Sequence, residues 1–213
     1  GITVLPQAAK WCLETAGIGA ADLDGVACVR GPGAFTGLRI ALSYTLGLSR
    51  GKNIATCGLD YLPLVAAAPA KMVPSQLWVV THARINTVYM QGFIHDCESG
   101  LREVSPPRAL FLDQALEILD KSGTDLSLVG SGLRKNREYF EAGLPSARFL
   151  DRVWDKPSAD ILLQEALCGD YSREPIEPGY MRPSDAESDL GRIAAKRGVD
   201  PDKWRRDTRD QKD

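Results

Sequence analysis

Gly25-Val26-Ala27-Cys28-Val29-Arg30-Gly31-Pro32-Gly33-Ala34-Phe35-Thr36-Gly37-Leu38-Arg39-Ile40 takes the chain from a strand through a tight turn into a helix. The run 25–29 is short, continuous and apolar, the pattern of a strand buried inside a sheet. Glycine and proline at 31–33 end it. From Leu38 the residues Ile40, Ala41, Leu42, Thr45, Leu46 and Ser49 recur at helical spacing, and the pattern stops at Arg50-Gly51. Such a turn leaves free backbone N–H groups at the start of a helix, where the helix dipole favours an anion. Gly31, Gly33, Thr36 and Gly37 are therefore candidates for holding a phosphate or carboxylate. The competing reading is a bare turn in which Thr36 caps the helix and nothing binds. A dinucleotide-binding turn is excluded by spacing. The third glycine of G-x-G-x-x-G falls on Thr36, although Asp60 lies at a suitable separation to reach a ribose. No Gly-Lys-Ser/Thr follows, which excludes a P-loop.

Around this stretch the pattern alternates. Leu5, Ala8, Ala9, Cys12, Leu13 and Ala16 share one helical face, with Pro6 in the first turn and Gly17 as C-cap, so a helix is expected over 4–16. A strand follows at 53–57 and a helix at about 60–68. The segment 69–74 is rich in Ala and Pro and reads as a boundary. Beyond it, 77–80, 87–94 and 103–110 are strand-like and joined by polar or glycine-bearing turns, which predicts an antiparallel meander. A helix at about 111–121, a strand at 126–129, and helices near 134–142 and 157–167 complete a mixed sheet. The division expected is a first lobe over 1–70, a second over 71–187 and a charged helix and tail over 188–213. In that tail Leu190, Ile193 and Ala194 are the only apolar stripe. Its mixed charges point to solvation.

Composition narrows the function. The 213 residues are 44% hydrophobic and 25% charged, ordinary for a globular protein, and the net charge is -2 from 26 basic and 28 acidic residues. No global positive field exists to hold a phosphate backbone by itself. Neither an 18-residue apolar run nor a signal-peptide pattern at Gly1-Ile2-Thr3-Val4 is present, which predicts a cytosolic protein without a membrane segment. The start on Gly rather than Met leads us to expect missing N-terminal sequence. Cys12, Cys28, Cys57, Cys97 and Cys168 are scattered and odd in number, as expected of reduced core thiols.

Residues for independent catalysis are sparse. His82 and His95 are the only histidines, 13 apart, without an H-x-x-x-H or H-E-x-x-H pair to hold a metal. No cysteine carries a nucleophile motif, and Ser43 lacks a G-x-S-x-G elbow. Arg84 and Arg182 have two readings, as anion-binding residues or as strand-end residues paired to carboxylates at the surface, and the second is expected. Ala41, Ser43, Gly47 and Ser49 make the second helix small-faced, and Trp11 is a typical interface anchor, so both helices fit either core packing or a partner.

The motifs then become specific. Val29 to Ile40 closely resembles the R-G-P-G-S-F-T-G-L-R-I signature of the TsaB (YeaZ) family. His82-Ala83-Arg84 with Val88-Tyr89 resembles its D-A-R…V-Y pair, Val129-Gly130-Ser131-Gly132 its V-G-x-G turn, and 178–186 its P-x-Y-L-R-x-x-D-A ending. The likeness spans 5 to about 187, and His82 departs from the family's Asp.

The resemblance implies an α/β, actin/Hsp70/sugar-kinase-like (ribonuclease H-like) fold of two βββαβα-type lobes, the first lacking its opening strands here. It implies a non-catalytic scaffold and activator that pairs with TsaD, is joined by TsaE, and dimerises with itself when TsaD is absent. The complex transfers threonylcarbamoyl to the adenosine 3′ of the anticodon in tRNAs reading ANN codons. On this reading tRNA is met only through the complex, the complex can take ATP or ADP, and nucleotide binding at Gly31–Gly37 of this chain stays open. The interface is carried over to helices 4–16 and 37–49, at Leu5, Ala8, Trp11, Cys12, Leu38, Arg39, Ala41, Leu42, Thr45 and Leu46. The alternative is an independent nucleotide-binding enzyme of sugar-kinase-like or glycoprotease type, for which the sequence offers no catalytic acids or metal ligands.

Overall fold

The computed structural model describes residues 4–181. The expected first helix forms as α1 (Val4–Ala16). It ends at Gly17, whose φ of +69° suits a C-cap and whose N–H donates to the Glu14 carbonyl at 3.1 Å. Next come β1 (Gly25–Gly31), α2 (Phe35–Lys52) and β2 (Ala55–Asp60). β1 and β2 pair in parallel, from Gly25 opposite Ala55 to Val29 opposite Leu59, with α2 as the crossover. Among the described residues no further strand pairs with β1, and its apolar residues stay half-buried.

Two details of this unit differ from the expectation. α2 opens on Ala34, without a side-chain cap, so Thr36 lies exposed inside the first turn and does not cap the helix. The helix also runs past Gly51, because Asn53 adopts the left-handed conformation at φ 56° and returns its N–H to the Ser49 carbonyl.

After α3 (Tyr61–Ala66), the segment Pro69–Met72 forms a 3-10 turn with Pro69 and Ala70 buried, so it is packed chain rather than free linker. The meander follows as expected: β3 (Gln76–Arg84), β4 (Thr87–Asp96) and β5 (Gly100–Phe111), each antiparallel to the next. α4 (Leu112–Lys121) leads to β6 (Leu126–Val129), which lies parallel to β3, and a two-residue β7 (Arg148–Phe149) extends the sheet to the order β5-β4-β3-β6-β7. The helix expected near 134–142 is in fact two, α5 (Ser131–Lys135) and α6 (Arg137–Gly143). Asn136 breaks it: its backbone leaves the helical region at φ -127°, ψ 32°, while its Nδ2 donates to the Gly132 carbonyl at 2.8 Å. α7 (Ala159–Leu167) is capped by the Ser158 hydroxyl. The sheet's edge strand β5 carries Arg102, Glu103, Pro106, Pro107 and Arg108, residues that discourage pairing with another chain.

Side-chain alternation divides the core. Trp78 and Val80 of β3 face α4, α5 and α6 through Ala115, Leu119, Leu133 and Phe140. Leu77 and Val79, one residue out of step, face Leu62, Val65 and Ala66 of α3 on the opposite side of the sheet. On its other side α3 sets Leu64 and Ala67 with Ile161 against Val29 and Leu59 of the two-stranded sheet. α3 is thus the shared wall between the sheets.

After α7 the chain returns along 170–181 as an irregular strap over the first sheet. Ser172 exchanges both backbone hydrogen bonds with Thr56, at 2.7 and 3.0 Å, and the Gly179 N–H donates to the Arg30 carbonyl at 2.8 Å. The cysteines correct one expectation. All five are free thiols, but only Cys57 is buried, Cys28 is half-buried, and Cys12, Cys97 and Cys168 are exposed. Apolar neighbours in sequence misled because α1, which carries Cys12, buries nothing. Arg182, Asp185 and the charged helix and tail expected at 188–213 lie outside the described residues.

Candidate partner-binding face

α1 mixes apolar and small residues with Gln7, Lys10, Glu14 and Thr15, and none of its residues is buried. Trp11 is 68% exposed and Val4 61%, while Ala8 and Cys12 are exposed and Leu5 is half-buried. Beside it α2 exposes Leu46 at 39%, together with Arg39, Ser43 and Gly47. Two hollows flank this ridge. One of 330 Å³ lies between the helices, lined by Leu5, Pro6, Ile40 and Tyr44. The other, of 160 Å³, lies between α2 and the strap, with Leu42, Leu46, Ile176, Pro178 and Tyr180 in its walls. Arg39 and Ser43, four residues apart and so stacked on one row of the helix, border both.

Of the residues expected at an interface, Ala8, Trp11, Cys12, Arg39 and Leu46 are exposed, and Leu5, Ala41 and Leu42 are half-buried. Thr45 and Leu38 belong to the inner side. Thr45 is only 5% exposed, and its hydroxyl bonds the Cys28 thiol, whose pKa burial pushes up and this bond partly restores. Leu38 packs on the glycine turn, within 3.2 Å of where a Gly31 side chain would begin.

Arg39 is held in place by aromatic rings. Its guanidinium carbon sits 3.9 Å from the Phe35 ring centre, and its Nε–H donates to the Tyr180 hydroxyl at 3.3 Å. Phe35 and Tyr180 stack with centroids 5.1 Å apart at 30°. Sequence reasoning missed Phe35 and Tyr180 as members of this face. The strap brings Tyr180 to Arg39 across 141 residues, which no helical periodicity reveals.

Gly179 packs against the first residue of the glycine turn. Gly31 has φ +126°, open only to glycine without strain, and a side chain there would come within 3.1 Å of the Gly179 carbonyl oxygen. Thr36 and Gly37 stay exposed on the first turn of α2. Asp60, the residue placed to reach a ribose, instead takes both ends of the Arg30 fork, at 2.8 and 2.9 Å. That bond, more than any other cause, raises the Arg30 pKa further.

A second polar cluster lies where β3 and β6 end. The His82 backbone N–H donates to Ser131 Oγ at 3.1 Å, while His82 Nδ1 is buried with no hydrogen-bond partner among the described residues. Burial first, then the charge of Lys135, holds this imidazole below its usual pKa. Next to it Asp155 accepts from the Gly130 N–H at 3.0 Å and from the Arg134 fork at 2.9 and 3.0 Å. The arrangement ties the turn after β6 to the segment before α7. Among the described residues no group of three His, Cys, Asp or Glu side chains could hold a metal, and no helix is long and apolar enough to cross a membrane.

These features define an α/β protein whose larger sheet runs three antiparallel strands into two parallel ones. On its surface α1 and α2 expose Val4, Trp11 and Leu46. The family described as "TsaD: tRNA N6-adenosine threonylcarbamoyltransferase" matches residues 2–158. The chain belongs to this glycoprotease-like family, which takes in the TsaB/YeaZ proteins. It is 25% identical over 183 residues to the tRNA threonylcarbamoyladenosine biosynthesis protein TsaB of Haemophilus influenzae, covering 80% of this chain and 75% of that protein. With the TsaB of Buchnera aphidicola it shares 34% identity over 96 residues, a match that spans 45% of either chain. The chain therefore spans less than half of that relative's length. YeaZ from Pseudomonas aeruginosa superposes with a TM-score of 0.64 at 21% identity, over 84% of this chain and 85% of that one. A Pseudomonas aeruginosa protein described as similar to peptidase YeaZ superposes with a TM-score of 0.63 at 24% identity, over 84% and 82%. The fold is accordingly the actin/Hsp70/sugar-kinase-like one.

Proposed function

We propose that this chain is a non-catalytic subunit in tRNA threonylcarbamoyladenosine biosynthesis, pairing with a TsaD-type catalytic subunit through the face of α1 and α2. The observation that carries the reading is α1 itself, a helix of 13 residues that buries none of them. Leaving an apolar helix in water forgoes the burial that stabilises most helices, so a partner surface is its natural complement. The two histidines of the sequence are far from forming a metal pair, which supports a scaffold role over independent hydrolysis or group transfer.

In this reading the β1–β2 sheet with α1 and α2 is the first lobe, about 1–70, and the five-stranded sheet with its helices is the second, 71–187. TsaE joins the pair, tRNA and ATP or ADP are handled by the assembled complex, and without TsaD the same face closes on a second copy. The protein works in the cytoplasm, where tRNA is modified. The names of the TsaB relatives and the matching family support the pathway.

Mixing the purified chain with its cognate TsaD-type subunit on a size-exclusion column tests the proposal. A co-eluting complex is expected, and Leu42→Glu or Leu46→Glu should abolish it. Separate elution of the wild-type proteins, or undiminished binding by both variants, sinks the reading.

A further inference from the structure

Arg39 is the one charged residue in the walls of the two hollows, and among the described residues no carboxylate pairs with it. Its head is nevertheless held in place by the Phe35 ring and the Tyr180 hydroxyl. The Tyr180 bond uses Nε alone, leaving the two terminal nitrogens, four N–H donors, turned to whatever lands on the face. Any chain that fills the hollows takes Arg39 out of water, and an unpaired buried guanidinium is strongly unfavourable. The occupant must therefore bring an anion with its apolar groups. A ridge along Arg39 and Ser43 with a groove on each side is the relief into which a second helix packs.

We propose that Arg39 is the anchor of this face. It receives a carboxylate presented by an amphipathic helix of the TsaD-type partner, while apolar residues of that helix enter the hollows on either side. Tyr180 is a positioning residue that holds the guanidinium for this pairing. The inference rests on the reading of the α1–α2 face as the partner surface, and goes beyond it by fixing the chemistry of the partner helix.

The test is titration calorimetry of the full-length chain against the cognate TsaD-type subunit at two salt concentrations, with thermal melts of every variant. Arg39→Gln should weaken binding by about 10- to 100-fold and flatten its salt dependence, with the melting temperature unchanged, because the head is exposed in the free protein. Arg39→Lys should recover only part of the affinity, since an ammonium lacks the fork. Tyr180→Phe keeps the stack and loses the hydroxyl, and a loss of a few fold is expected. If Leu46→Asp abolishes binding while Arg39→Gln binds like wild type, the face stands and the anchor is overturned. If both bind like wild type, the face and the anchor fall together. If Arg39→Gln abolishes self-association and spares the mixed complex, the choice of occupant is overturned.

Discussion

Arg30 and Asp60 clasp across the carboxyl ends of β1 and β2, Nε to Oδ1 at 2.8 Å and Nη2 to Oδ2 at 2.9 Å. In an open parallel sheet that crevice is where ligands usually bind. Here the pair spans it, and the Gly179 N–H of the strap donates to the Arg30 carbonyl beside it. The two side chains are 39% and 48% exposed, so solvent screening limits what the pair contributes. Asp60→Asn should lower stability by less than about 1 kcal/mol in a urea titration, and a loss of several times that would show the clasp to be structural in a way its exposure does not indicate.

Gly130 should be far less tolerant. Its φ is +123°, and a side chain there would run into the carbonyl oxygen of Val80, a backbone atom that cannot step aside. Gly130→Ala is expected to destabilise the protein by about 2–4 kcal/mol, combining strain with overpacking. Gly37→Ala, where nothing lies within 4 Å, is the matched control and should leave the melt within about 1 kcal/mol of wild type.

His82 makes stability depend on pH. Its pKa in the folded chain is lowered by burial and by Lys135, so protons bind the unfolded chain more readily than the folded one. The contribution is fully present above the ordinary imidazole pKa of about 6.5 and is lost as pH falls through the depressed folded value. Urea midpoints should drop between pH 7.5 and pH 5, and His82→Gln should lessen that drop. An identical slope in the variant would remove His82 as the source.

The thiols should separate by burial. Cys12, Cys97 and Cys168 are exposed, whereas burial raises the pKa of both Cys28 and Cys57. A thiol reagent at pH 8 should therefore titrate three groups quickly in the native protein, and all five in denaturant.

Gly47 offers a contrast between folding and binding. It sits exposed in the interior of α2, with no atom within 4 Å of where the first carbon of a side chain would sit. Gly47→Ala should raise stability by about 0.5–1 kcal/mol. Gly47→Leu should still fold, yet block close approach of a partner helix and weaken the mixed complex on the column.

Local patterns made much of this fold legible. The helical spacing from Leu5 to Ala16 ended where Gly17 said it would, and the meander was readable because polar turns such as 96–100 punctuate it. The break at Asn136 was hidden, since 134–142 keeps helical spacing and only a side-chain bond to Gly132 interrupts it. The candidate face was legible where it depends on one helix, at Trp11, Arg39 and Leu46. Thr45 has the right spacing but turns inward to Cys28, because α2 lies on β1 and only the packed structure says which side is covered. Tyr180 lies beyond any such reading, since its place beside Phe35 depends on the route of the strap.

That route has a consequence for how the molecule is made. On the ribosome α1, β1, α2 and β2 emerge well before the strap, and Thr56 waits for its hydrogen-bond partner at Glu174, 118 residues later. At ordinary rates of synthesis that interval is roughly ten seconds. Through it the free edge of β2 and the apolar helices stand unfinished together. A segment made early is thus completed late, and a nascent chain with such an edge is a natural client for a chaperone or an early-arriving partner.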